Sequence, residues 1–105
     1  MKATVYKKHD GEGQFPLFLK GTKVENVKPC QQYEFWSSCT IDGYDTYISN
    51  TYISDGILNR DYDPTELVLN KGDVVTILEV AFDWAYAEDE QGTKGWIPFG
   101  ILYSN

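Results

Sequence analysis

Short runs of alternating apolar and polar residues, bounded by Gly, Pro, Asn and Asp, dominate the chain, and helical periodicity is hard to find. The clearest run covers residues 74–80, where Val75 and Ile77 would share one face of a strand. A turn at residues 70–73 precedes this run. The pattern is typical of β-structure built from short strands.

The second half of the chain predicts five short strands. Residues 84–87 would pair with the segment that begins at Lys94, across a hairpin formed by the acidic stretch 88–92. Pro98 cannot donate a hydrogen bond to a neighbouring strand, so the sheet should break there before a last strand begins. Five short strands are too few for two full sheets, and they fit a small closed or nearly closed barrel.

The same order of elements occurs twice, about fifty residues apart. Each copy has a lysine-glycine turn, a strand, an isolated tryptophan (Trp36 or Trp84) and an aliphatic closing strand. Repetition at a fixed period indicates that each copy is one small module. We therefore expect an all-β chain of two domains, residues 1–54 and 55–105, which pack against each other because the link between them is short.

Composition and charge narrow the classes of function. No stretch approaches the ~20 apolar residues of a membrane span, and the charged start predicts no secretory signal, so we expect a cytoplasmic protein. Residues 1–54 carry six acids and six lysines, whereas residues 55–105 carry ten acids and three bases, which accounts for the net charge of −7. Such a second half would repel nucleic acid and anionic lipid and attract a basic partner. The alternative is that the acids only keep the protein soluble.

Motifs of the second copy resemble those of one known family. Residues 66–75, 83–84 and 95–98 are similar to the diverging turn, the pocket tryptophan and the closing segment of a Src homology 3 domain, and residues 61–62 are similar to the end of its opening strand. The resemblance covers the second half almost continuously and the first half less well. It implies two tandem, five-stranded Src-homology-3-like barrels of the kind found in bacteria, acting as binding modules.

The resemblance also implies a ligand-binding surface of aromatic and acidic residues. Five candidates occupy pocket positions of the family: Tyr62, Trp84, Pro98, Trp36 and Tyr52. Four acids would flank the second groove: Asp61, Asp63, Glu66 and Asp83. Neither copy has a complete groove for a proline-rich peptide. An aromatic face beside carboxylates instead suits an arginine side chain.

Both pocket tryptophans are candidate anchors for a ligand. The alternative is that one or both are buried between the barrels, and we favour burial for Trp36.

We expect a non-catalytic module that binds a basic protein or peptide through this surface. Two alternatives stay open: an intracellular inhibitor or immunity-type protein that caps a basic partner, and recognition of cell-wall peptides, as in bacterial relatives of the domain. We expect no cofactor, no metal site and no enzymatic activity, because phosphate-loop, dinucleotide and zinc motifs are missing. The single histidine, His9, is interpreted as part of a solvated loop, and Cys39 as a small core residue that aligns with Ala87.

The alternation also predicts which side chains form the core. The expected members in the second copy are Leu58, Leu67, Leu69, Val75, Ile77, Ala87, Ile97 and Leu102, and their counterparts in the first copy are Phe18, Val24, Cys39, Ile48 and Ile53. Asn26 falls where the repeat predicts an apolar residue. Either a β-bulge turns Val27 inward or the alignment slips there.

Overall fold

Two units of β-structure make up the protein in the computed structural model, which describes residues 1–11 and 14–104. The first, here called the discontinuous unit, consists of Met1–Gln14 and Thr65–Asn105. The second, the inserted unit, is Phe15–Pro64. The chain therefore leaves the discontinuous unit, completes the inserted unit and returns.

Ten strands and two 3₁₀ turns form the described part of the chain. In chain order the strands are β1 (Lys2–Val5), β2 (Val24–Pro29), β3 (Trp36–Ile41), β4 (Tyr44–Ser49), β5 (Ile53–Ser54), β6 (Ile57–Leu58), β7 (Val74–Ala81), β8 (Trp84–Glu88), β9 (Lys94–Pro98) and β10 (Leu102–Ser104), and the 3₁₀ turns are Asn50–Tyr52 and Phe99–Ile101. The expected all-β fold class is confirmed. Within the described residues, neither helical segment is long or apolar enough to cross a membrane.

A five-stranded sheet in the order β10-β1-β7-β8-β9 forms the discontinuous unit. Strand β1 is paired on both sides, since Ala3 lies opposite Val75 in β7 and opposite Ser104 in β10. The side chains of Ala3 and Val5 join the buried core of this unit. The N-terminal strand is therefore an internal strand of a sheet whose other strands all come from the second half of the chain.

The inserted unit has the same spatial order of strands in a different chain order. Its sheet β2-β3-β4 is extended by the β5-β6 pair, because a bridge between Lys23 and Ile57 sets β6 beside the start of β2. The resulting order, β5-β6-β2-β3-β4, matches that of the discontinuous unit with β6 in the place of β1. Since β6 is the last strand of one unit and β1 the first of the other, the inserted unit is a circular permutation of the discontinuous unit.

Two equivalent segments, here called arms, explain this arrangement. They are the N-terminal arm, Met1–Gln14, and the arm that follows β6, residues 59–64. In the N-terminal arm, the backbone of His9 exchanges two hydrogen bonds of 2.9 Å with Leu69. In the arm that follows β6, Tyr62 exchanges two hydrogen bonds of 2.8 Å with Phe18. The N-terminal arm therefore belongs to the discontinuous unit, although the residues that follow it, from Phe15 on, form the inserted unit. The arm that follows β6 belongs to the inserted unit, although the residues after it, from Thr65 on, return to the discontinuous unit. The units thus divide the chain differently from the expected boundary at residues 54 and 55.

Most of the expected core side chains are buried. Those with an exposed fraction of 5% or less are Leu58, Leu67, Leu69, Val75, Ala87, Ile97, Phe18, Val24, Cys39 and Ile48. Ile77, Leu102 and Ile53 are only half-buried. Leu58 lies in the inserted unit, so its assignment to the core of the second half was wrong.

Strand β2 contains the irregularity that Asn26 suggested. The register shifts between Glu25 and Lys28, and Asn26 has a φ of +54°, so a bulge is present. The bulge does not turn Val27 inward, because that side chain is 45% exposed. Strand β7, the counterpart of β2, also shifts register, between Ile77 and Glu79.

Candidate binding site

Strand β8 presents small residues to the core and large residues to the opposite side of the sheet. Ala85 and Ala87 are completely buried, whereas Trp84 and Tyr86 are half-buried on the other side. Alternation along a strand causes this separation. The two inward alanines therefore fix the outward direction of both aromatic rings.

Strand β9 extends this outward row. Trp84 lies opposite Pro98, and Tyr86 lies opposite Trp96 with ring centroids 5.2 Å apart. Trp96 is 4% exposed, while Pro98 is half-buried. We call Trp84, Tyr86, Trp96 and Pro98 the aromatic face.

The chain runs parallel to β9 where it re-enters the discontinuous unit. The Leu67 N–H donates to the Trp96 carbonyl at 3.1 Å, and the Trp96 N–H donates to the Thr65 carbonyl at 2.9 Å. This approach requires Gly95, because a Cβ there would meet the Leu67 nitrogen and the Thr65 oxygen at 2.9 Å. The pairing places Glu66 next to Trp96 in the ladder.

His9 reaches the same place from the N-terminal arm. Its Nδ1 lies 2.8 Å from the Leu67 carbonyl oxygen, and its Nε2 lies 3.1 Å from Oε1 of Glu66. Its ring meets the Trp84 ring edge-on, with centroids 6.1 Å apart. The His9 side chain is 15% exposed and that of Glu66 is 11% exposed, so the interpretation of His9 as part of a solvated loop was wrong.

Both ring nitrogens of His9 face oxygen atoms that accept hydrogen bonds. A carbonyl and an ionised carboxylate cannot donate, so both bonds form only when His9 carries two protons. Burial by itself lowers the pKa of His9. The hydrogen bonds to Glu66 and Leu67, together with the charges of Glu66 and Asp10, outweigh burial and raise this pKa above its ordinary value of 6.5.

The inserted unit contains a different aromatic cluster at the equivalent place. The Tyr62 hydroxyl donates to the Tyr47 carbonyl, and its ring lies 5.7 Å from the ring of Tyr52. The Arg60 guanidinium lies 4.4 Å from the centre of the Tyr52 ring, a cation-π contact. Trp36 is buried, with an exposed fraction of 4%.

The nine residues expected to bind a ligand are divided between the units. The discontinuous unit contains Glu66, Asp83, Trp84 and Pro98, and the inserted unit contains Trp36, Tyr52, Asp61, Tyr62 and Asp63. Trp84 and Pro98 face each other across β8 and β9. Asp61 accepts a hydrogen bond of 2.8 Å from the Lys20 backbone, which holds the turn at the start of the repeat.

Three members of the candidate site, His9, Tyr86 and Trp96, were missed by sequence reasoning. The repeat in the sequence contained the information that would have identified His9. Its lysine-glycine turns align Leu69 with Phe18, and the strand partners of these two residues are His9 and Tyr62. His9 therefore occupies the position that Tyr62 occupies in the other unit, which could be recognised only by pairing the arms across the chain.

Cys30 and Cys39 are free thiols. Burial and the charge of Asp45 raise the pKa of Cys39 to about 11, so its thiol stays protonated at neutral pH, as suits a core residue. Within residues 1–11 and 14–104, no group of three or more His, Cys, Asp and Glu side chains is arranged to hold a metal ion.

A comparison with known families fits the strand arrangement. Residues 56–103 match the variant SH3 domain family. The match supports an SH3-like fold, and SH3 domains generally mediate binding to proteins or peptides. It treats residues 56–64 as continuous with the rest of the SH3-like domain, whereas the structure places them in the inserted unit. No curated protein and no solved structure matches the chain.

Proposed function

We propose that the protein is a non-catalytic module that binds a basic protein or peptide at the aromatic face of the discontinuous unit. The observation that carries this proposal is the row formed by Trp84 and Tyr86, two aromatic side chains that remain half-buried on the outer side of β8. Asp83 is exposed immediately before Trp84. An aromatic ring beside a carboxylate offers stacking and charge-assisted hydrogen bonds to a guanidinium.

Burial separates this surface from the other candidate residues. Tyr52, Tyr62 and Trp36 have exposed fractions of 5% or less, which leaves little area for a ligand to cover. Trp84 keeps more of its surface exposed than any of these three. Large aromatic side chains that become fully desolvated on binding contribute most of the affinity in protein interfaces. We therefore centre the proposed site on Trp84.

The charge argument changes once the chain is divided into its structural units. The discontinuous unit carries nine acidic and five basic residues, a net charge of −4, and the inserted unit carries seven and four, a net charge of −3. The N-terminal arm supplies three of those lysines to the discontinuous unit. Both units are acidic, so steering by the whole chain attracts a basic partner, and the choice of site depends on local acids such as Asp83.

The test is binding to peptides of matched length that are arginine-rich, lysine-rich, neutral or acidic. Indole N–H signals in NMR report on the three tryptophans separately. We expect the arginine-rich peptide to bind and to shift the Trp84 signal. The Trp84→Ala variant should bind at least about fivefold more weakly, since loss of a central anchor costs more than about 1 kcal/mol. Val68→Ala, which shortens a 65% exposed side chain of the same unit, is the matched control and should bind like wild type.

Binding kinetics distinguish the contribution of the Trp84 side chain from that of the acidic residues. The association rate should fall as salt rises past ~0.1–0.15 M, where the Debye length is about 8–10 Å, and Trp84→Ala should mainly raise the dissociation rate. Equal binding by Trp84→Ala and wild type would refute the proposed site. Binding of a folded basic protein, with no binding of any peptide, would favour the inhibitor-type alternative.

A further inference from the structure

The carboxylate of Glu66 already has a partner within the protein. His9 Nε2 lies 3.1 Å from it, and the His9 ring lies against Trp84 at the edge of the aromatic face. One of the acids expected to attract a basic ligand is therefore paired with a cation whose charge depends on pH.

Loss of one proton breaks this arrangement. A neutral imidazole has a single N–H, so it can keep only one of its two hydrogen bonds. If Nδ1 keeps its proton and the bond to Leu67, the Nε2 lone pair faces the Glu66 oxygen. The Glu66 side chain is 11% exposed, so loss of this hydrogen-bond donor raises the free energy of its carboxylate. A cationic side chain of a ligand would lower that free energy again.

We propose that protonated His9 neutralises Glu66 beside Trp84, so that a basic ligand binds the aromatic face more tightly once His9 has lost its proton. The proposal rests on the function proposed above and specifies how pH regulates the same site. His9 and a ligand guanidinium compete for one carboxylate. By linkage, the ligand must also disfavour the protonated form of His9 by the same factor.

The groups around His9 favour Glu66 as the controlling partner. Among the described residues, the carboxylates that act on His9 are Glu66, from the segment before β7, and Asp10, from its own arm. Asp10 is exposed and lies 3.3 Å from the Lys8 ammonium, so solvent and Lys8 weaken its effect. Trp84, on β8, adds a neutral ring. The Leu67 carbonyl fixes the ring orientation.

The first measurement determines the pKa of His9 in the absence of a ligand. Because His9 is the only histidine, its ring-proton NMR signals can be titrated from pH 5 to pH 9 without ambiguity. The pKa of His9 should lie above 6.5 in wild type, fall in Glu66→Gln and stay unchanged in Glu90→Gln, which removes an equal charge from the β8–β9 hairpin of the same unit. Backbone spectra establish that each variant is folded. A wild-type pKa at or below 6.5, or one insensitive to Glu66→Gln, overturns the inference and leaves the proposed function standing.

The second measurement adds a hexa-arginine peptide as the probe. Its affinity should rise at least about fivefold between the pH values at which His9 is fully protonated and fully neutral, the lower end of usual couplings. The peptide should also lower the pKa of His9, and neither effect should occur in Glu66→Gln. Trp84-dependent binding with the same affinity at both pH values overturns the inference alone. No binding at any pH refutes the proposed function, and the inference with it.

Discussion

The two units build one strand order around different residues, and the difference is clearest in the residues His9 and Tyr62 of the arms and in the exposure of Trp84 and Trp36. In the inserted unit, Tyr62 donates its hydroxyl to a backbone carbonyl, and Trp36 is buried. In the discontinuous unit, His9 takes the position of Tyr62, pairs with a carboxylate and contacts the half-buried Trp84. One unit has a closed, uncharged contact, and the other has an ionisable pair beside an accessible ring. The comparison shows that two units with the same strand order can differ in how far their aromatic side chains are exposed.

A second difference lies in β9 and its counterpart β4. Gly95 lies opposite Ala87, and Thr46 lies opposite Cys39 at the equivalent place in the inserted unit. The missing side chain of Gly95 admits the returning chain with Glu66. Glycine at this position is thus part of the structural basis for the ionisable pair.

The largest expected effect concerns the arms. A fragment of residues 56–105 contains the whole variant SH3 domain match but lacks β1, so β7 and β10 each lose a partner and the core loses Ala3 and Val5. We expect it to remain unfolded. A fragment of residues 15–64 contains β2 to β6 and should show a cooperative thermal transition. Circular dichroism and amide NMR dispersion measure both. A folded 56–105 fragment would contradict this expectation and would show that β6 and the arm that follows it can take the place of β1 and the N-terminal arm.

Core truncation should be the next largest effect. Leu69 is 1% exposed and Phe18 holds the equivalent position at 3%, so Leu69→Ala should cost ~2–5 kcal/mol and Phe18→Ala ~3–5 kcal/mol in urea denaturation. The neighbouring Val68 is 65% exposed, and Val68→Ala should stay within about 0.5 kcal/mol of wild type. Equal costs for Leu69→Ala and Val68→Ala would show that the strand register is wrong by one residue.

Gly95→Ala should cost ~1–3 kcal/mol, because the new Cβ would press on the backbone at Thr65 and Leu67 at 2.9 Å. Gly100→Ala is the matched control, since nothing lies within 4 Å of a Cβ there. Urea denaturation compares the two variants. A Gly95→Ala variant as stable as Gly100→Ala would argue that the returning chain does not run against β9.

The smallest effect is the pH dependence of stability. Since the pKa of His9 is raised in the folded protein, its contribution to stability is fully present below pH 6.5 and is lost as the pH rises through the folded value. The Tm of wild type should therefore fall over that interval relative to His9→Gln. Tyr62→Phe, at the equivalent position, should cost ~0.5–1.5 kcal/mol at every pH, because it removes a neutral hydrogen bond. A parallel pH dependence in wild type and His9→Gln would contradict this role of His9.

Much of the fold follows from local pattern. The alternation in β7, β8 and β9 identified Val75, Ala87 and Ile97 as core residues, since a strand side chain has only two directions available. The family resemblance of the second half is supported by the variant SH3 domain match. The candidate site was predicted only in part. Trp84 and Pro98 do face each other, but the acids and tyrosine of residues 61–63 lie in the inserted unit.

The sequence by itself determined that the chain is all-β, that the lysine-glycine turn and the isolated tryptophan recur, and that Trp84 begins a strand in which Ala87 faces inward. Only the tertiary structure decided which arm completes which unit. Equivalent arms form equivalent backbone hydrogen bonds, so local propensity cannot choose between them, and the choice falls to the connections. The link of Asp63–Glu66 is short, and Pro64 favours extended backbone in Asp63, which does not suit a tight reversal. The pairing of the N-terminal arm with the discontinuous unit brings His9 to Glu66, a contact between distant parts of the sequence that no local pattern could specify.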